Sequence, residues 1–141
     1  MDAATLAIAT AWNTAWTGLY GSPPSVPYVL DNEQFAEPNP STSWVRLAIR
    51  HQTGTKLTLG APARYKRTGS IFVQVFAPVD QGRNPLDILS RQVMDALEAQ
   101  NFGSFPGDCV TTYGANPREA PTGGQWSQIT ISIPFDYFES K

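Results

Sequence analysis

The run Ser70-Ile71-Phe72-Val73-Gln74-Val75-Phe76-Ala77 constrains this chain more than any other stretch. Alternate positions place Ile71, Val73 and Val75 on one side and Phe72, Gln74 and Phe76 on the other, so both faces are largely apolar. Side chains of a strand point alternately to its two faces, and a strand apolar on both belongs at the centre of a sheet or under cover on both sides. The fold is therefore expected to be built around these eight residues. At 141 residues the chain has the length of one domain, and 41% apolar residues with seven Phe, five Tyr and four Trp supply its core.

Helical rhythm opens the chain. From Ala3 to Tyr20, Ile8, Trp12, Ala15 and Leu19 recur at the spacing of one helix face, and Ala4, Ala7, Ala11 and Trp16 widen it. Asp2 is placed to cap this helix and Gly21-Ser22-Pro23-Pro24 to stop it. Residues 21–43 then form a Pro-rich arm or loop around one short extended run, Tyr28-Val29-Leu30. Trp44 to His51 alternates as a half-buried strand, Val45, Leu47 and Ile49 inward and Arg46 and Arg50 on a basic outer face. Gly and Pro punctuate residues 53–69, which read as a basic loop in which Lys56 to Leu59 can pair briefly.

Beyond the central strand, Asn84 is expected to cap a second helix. Pro85 sits in its first turn, and Leu86, Leu89, Val93 and Leu97 form its stripe. Asp108 to Tyr113 reads as a strand and Ala115 to Gly124 as a loop, with Gly123-Gly124 as a hairpin turn. Trp126 to Phe138 closes the chain as a long strand with Ile129, Ile131, Ile133 and Phe135 inward; Pro134, lacking an N–H, implies an edge or bulge there. This order predicts a single α+β domain over 1–141, with a mostly antiparallel or mixed sheet of four to five strands carrying two helices.

Charge is segregated along the chain. Met1 to Ser43 holds four acids (Asp2, Asp31, Glu33, Glu37) and no base, and Trp44 to Phe76 holds six bases (Arg46, Arg50, Lys56, Arg64, Lys66, Arg67) and no acid. The remainder carries eight acids and four bases, giving a net charge of −2. Either the blocks neutralise one another within one molecule, or a basic surface meets nucleic acid or an acidic edge of a neighbouring copy.

Few residues point to catalysis. Cys109 and His51 are the only cysteine and the only histidine, so neither a disulfide framework nor a Cys/His zinc set is available. Nothing in the pattern brings Cys109 or a serine to His51 as a nucleophile and base require. Gly123-Gly124 is followed by Gln125-Trp126 and lacks the Lys and helix start of a phosphate loop. Asp87, Asp95 and Glu98 lie off the apolar helix stripe, where carboxylates are ordinarily solvated. The run Arg64-Tyr65-Lys66-Arg67 is the best local candidate for phosphate contact, too short for sequence-specific binding. An acid follows Met1 where a signal peptide has Lys or Arg, and no stretch approaches the ~20 apolar residues of a spanning helix. The expectation is a soluble, non-enzymatic protein that does not enter a membrane.

Taken together, several runs resemble the tail-terminator proteins of long-tailed bacteriophages. They are Trp44-Val45-Arg46-Leu47, Leu59-Gly60, Tyr65-Lys66-Arg67-Thr68-Gly69 opening into Ile71 to Pro78, Gly82 with the Leu86 to Leu97 helix, and Gly124-Gln125-Trp126 leading to Ile133-Pro134-Phe135. The resemblance spans nearly the whole chain in pattern and order. It implies a structural virion protein, assembled in the host cytoplasm, that caps the tail tube as a hexameric ring, stops its polymerisation and offers a surface for head-tail joining. Implied partners are other copies of the chain, the tail-tube protein, a head-tail connector or stopper protein, and passing genomic DNA contacted without sequence specificity. No cofactor and no catalytic residue is implied. Lys56, Arg64, Lys66 and Arg67 would then face the lumen, the DNA or the tube, and Arg46, Arg50, Asp31, Glu33 and Glu37 would meet between subunits. A head-tail stopper, a tail-tube subunit and a small nucleic-acid-binding module are the alternatives.

Overall fold

The computed structural model describes residues 3–22, 24–30, 42–57, 64–79, 83–102, 110–123 and 126–140. Among these, two helices, α1 (Ala3–Tyr20) and α2 (Asn84–Leu97), accompany seven strands: β1 (Tyr28–Leu30), β2 (Trp44–Lys56), β3 (Arg64–Pro78), β4 (Asn101–Phe102), β5 (Val110–Thr112), β6 (Asn116–Gly123) and β7 (Trp126–Ser140). They form one mixed sheet in the order β1-β2-β3-β7-β5-β4, with β6 also on β7. The β1–β2 pairing is parallel and the others are antiparallel. The α+β class is as expected, and the sheet is larger than four to five strands. The additions are the two-residue β4 and β6, whose Pro117 and Pro121 disguise a strand that pairing with β7 nonetheless fixes.

The eight-residue run lies at the centre, as its two apolar faces require. β3 pairs along its whole length with β7, from Arg64↔Ser140 to Pro78↔Trp126, and on its other edge with β2. On one face Ile71, Val73 and Val75 join Val45, Leu47, Ile129, Ile131 and Ile133 beneath Ile8, Trp12 and Trp16 of α1 and Leu86, Leu89, Val93 and Leu97 of α2. On the other face Val29, Trp44, Phe76 and Trp126 make a smaller cluster, with the Trp44 and Phe76 rings stacked at 4.1 Å.

α1 has the expected bounds but a different buried stripe. Ala4, Ile8, Trp12 and Trp16 face the core, whereas Leu19 is 53% exposed. Trp12 and Trp16 stack at 4.6 Å and Trp16 Nε1 donates to the Val26 carbonyl at 2.9 Å, which turns the helix toward Trp16 and rotates Leu19 outward. Asp2 lies outside the described residues. Gly21, at φ 87°, closes the helix with its N–H on the Thr17 carbonyl at 2.8 Å. In α2, Asn84 is already helical and Arg83 holds the cap position without a side-chain cap bond, so the expected Asn84 cap is not formed. The other end is closed from the sheet: Thr112 Oγ1 donates to the Leu97 carbonyl and accepts the Gln100 N–H at 2.8 Å.

Residues 53–69 depart most from expectation. Of these, 53–56 and 64–69 are strand and not loop, continuing the β2–β3 ladder to Lys56↔Tyr65 past an irregularity between His51 and Thr53; 58–63 lie outside the described residues. The pairing survives a polar sequence because Thr53 and Thr68 join their hydroxyls at 2.5 Å and the Arg67 side chain covers Gly54. Pro134 is neither at an edge nor at a bulge. Its carbonyl accepts the Tyr113 N–H at 3.0 Å, so its missing N–H faces the same side, at the place where β7 passes from pairing with β6 to pairing with β5.

Candidate functional site

Strand alternation divides the basic hairpin between two faces. Lys66 shares the side away from the helices with Asp136, and the two pair at 3.6 Å. Arg67 shares the helix side with Glu139, Nε to Oε2 at 3.3 Å, and lies over the Tyr65 ring at 5.0 Å. Arg64 stacks on Phe138 at 4.9 Å, and Lys56 is exposed near the end of β2. Arg64-Tyr65-Lys66-Arg67 is therefore no single patch, and two of its cations are partly compensated by acids of β7. Neutralisation within one molecule accounts for that share of the charge segregation. Tyr113 donates to Asp136 at 2.7 Å, a bond that, with burial and the nearby negative charge, holds its phenol above the ordinary value.

His51 stands beside this hairpin. Its Nε2 lies 2.9 Å from Thr5 Oγ1 and its Nδ1 3.5 Å from the Tyr137 hydroxyl, with the Phe135 and Tyr137 rings edge-on. A hollow of about 410 Å³ opens among His51, Thr53, Arg67, Thr68, Tyr137 and Glu139. Cys109 lies outside the described residues. Among those described, no group of three or more His, Cys, Asp or Glu side chains is placed to hold a metal ion.

Arg46 and Arg50 project from β2 on the side away from the helices, Arg46 over the Trp44 ring at 5.4 Å. Asp31, Glu33 and Glu37 lie outside the described residues, in the segment joining β1 to β2. Because β1 and β2 are neighbours, that segment is anchored at the same sheet edge as Arg46 and Arg50.

A second group of cations, not singled out in the sequence, lines a groove of about 300 Å³ between α2 and β6. Arg83 pairs there with Asp87 at 3.2 Å and closely with Glu119, whose carboxyl the guanidinium holds below its usual range. Arg91 and Arg118 line the same groove with Met94 and Ile129. These arginines sit in a block with an excess of acids, which hides them from charge counting. The signal was helical: 83, 87, 91 and 94 fall on one face.

No protein-family model and no curated protein matches the chain. Solved structures do match. One, of a protein whose name states no function, has a TM-score of 0.69 over 97% of this chain and 95% of that chain, at 15% identity. At that identity the likeness defines the α+β fold and nothing about activity. No helix among the described residues is long and apolar enough to cross a membrane.

Proposed function

We propose that this chain is a tail terminator of a long-tailed phage, a virion protein that closes as a hexameric ring on the finished tail tube, halts its growth and receives the head-side connector or stopper. The resemblance carried by the runs from Trp44 to Phe135 supports this reading. The observation that carries it is the β2–β3 extension, paired out to Lys56↔Tyr65 while every residue from Arg50 to Leu57 is exposed. A stiff three-stranded end of the sheet, with β7 paired alongside β3 out to Arg64↔Ser140, bearing Lys56, Arg64, Lys66 and Arg67, suits a lumen wall or a surface onto the tube. Its partial compensation by Asp136 and Glu139 suits weak, salt-sensitive contact with passing DNA. The role needs no cofactor and no catalytic group.

The test is removal of the gene from its parent phage, or an amber codon within it, with tail length measured by negative-stain electron microscopy. Overlong tubes without heads are expected. Normal-length tails detached from heads would instead assign a stopper, and a complete lack of tails a tube subunit.

A further inference from the structure

We infer that the face of the sheet away from the helices docks the phosphate backbone of duplex DNA, with Arg46 and Arg118 as its two outer contacts. This deepens the ring reading, on which it rests for the source of the DNA, by naming the face that meets it.

Register supplies the first part. Arg46 is opposite Gln74, Gln74 opposite Thr130 and Thr130 opposite Arg118, so these four side chains form one row across β2, β3, β7 and β6. The adjacent row, Val45, Val75, Ile129 and Glu119, points to the helix side, where its apolar members join the core. Successive side chains of a strand take opposite faces, so the row of Arg46 points away from the helices. Arg118 thus borders the α2–β6 groove yet belongs to the face opposite Glu119. Three strand spacings of about 4.8 Å separate the backbones of the two arginines, roughly 14 Å in all.

Charge supplies the second part. Among the described strand residues, this face carries Arg46, Arg50, Arg64, Lys66 and Arg118 against Asp136 alone, which holds Lys66 at 3.6 Å. Arg46 and Arg118 are exposed at the two ends of their row, with Gln74 and Thr130 half-buried between them and Ser132 and Asn116 one row on. Guanidiniums set among hydroxyl and amide side chains are the groups that contact phosphate oxygens. A protein partner would call for an apolar anchor at the centre of the contact. Here Val29, Trp44, Phe76 and Trp126 are closed in their own buried cluster, and the exposed Phe138 ring lies under Arg64. A polar, positively charged surface of this kind suits a nucleic-acid backbone.

The experiment titrates a short duplex DNA into the isotope-labelled full-length chain at low salt and follows its backbone amide resonances. Amides around Arg46, Gln74, Thr130 and Arg118 should shift, and those of α2 should not. An Arg46→Glu/Arg118→Glu variant, shown folded by circular dichroism, should bind about tenfold or more weakly, whereas an Arg91→Glu variant should bind as the native chain does. Binding should fall with salt and be alike for unrelated DNA sequences. An absence of shifts, shifts confined to the helix side, or undiminished binding by the double variant overturns the inference. Equal shifts with polyglutamate would assign the face to an acidic protein surface and overturn it as well. Overlong tails in the deletion phage alongside no response to DNA would leave the terminator standing and remove this surface. A response confined to this face with tails of normal length would do the reverse.

Discussion

The Phe135 ring fills the space in which Gly69 would carry a side chain. A Cβ built there would stand 2.5 Å from Phe135 Cζ and 2.4 Å from the Arg50 carbonyl oxygen. The two residues are register partners in the β3–β7 ladder, so the glycine admits a fully buried aromatic where a methyl group would force the strands apart. Gly69→Ala is expected to lower stability by about 1–3 kcal/mol, as overpacking does. Urea denaturation measures it, and an unchanged midpoint would show that the ring swings aside freely.

Thr112 holds the end of α2 from across the sheet through the Leu97 carbonyl and the Gln100 N–H. Thr112→Val keeps the shape and removes both bonds, leaving buried backbone groups without that partner. A loss of about 1–3 kcal/mol is expected by thermal or urea unfolding. A neutral result would mean that water takes over the hydroxyl's role.

Ala99 sits at φ 53°, a left-handed conformation that costs an L-residue with a Cβ. Replacing it with glycine relieves that cost at some expense in unfolded-chain entropy. The expected net gain for Ala99→Gly is about 0.5–1 kcal/mol, read as a higher melting temperature.

Tyr113 tests the outer network electrostatically. Its phenol titrates above the ordinary value of 10.0 because the neutral hydroxyl donates to Asp136. Folding thus favours the protonated phenol, and this contribution is present below the ordinary value and lost as pH rises through the raised one. In an ultraviolet titration, Asp136→Asn should move the Tyr113 transition downward, with Tyr113→Phe identifying which transition it is. No movement would mean that Asp136 does not control this phenol.

Where the sequence carried a period, the fold could be read from it. The Ser70 to Ala77 run, the α2 stripe and the inward isoleucines of the last strand all lie where alternation or helical spacing puts them. Reading failed where tertiary contacts replaced periodicity. β6 is held by β7 despite its prolines, the 53–56 and 64–69 strands are polar on both sides, and Leu19 is turned outward by tryptophan packing farther up its helix. The candidate site was legible only in part for a related reason. Linear charge blocks identify Lys66 and Arg67, but only the register reveals that Asp136 and Glu139 stand beside them. Likewise, Arg91 and Arg118 come to border one groove only once β6 is placed against α2.

The central ladder also governs how the molecule comes together. β3 and β7 join residues between 48 positions (Pro78 to Trp126) and 76 positions (Arg64 to Ser140) apart in the chain. The β2–β3 hairpin and both helices are local and form within about microseconds, but the core has no floor until that distant closure occurs. Refolding is therefore expected on the slower scale of non-local sheets, with β3 and β7 in the nucleus and α1 docking late. Substitutions in the ladder would then slow folding, and those in α1 would chiefly hasten unfolding.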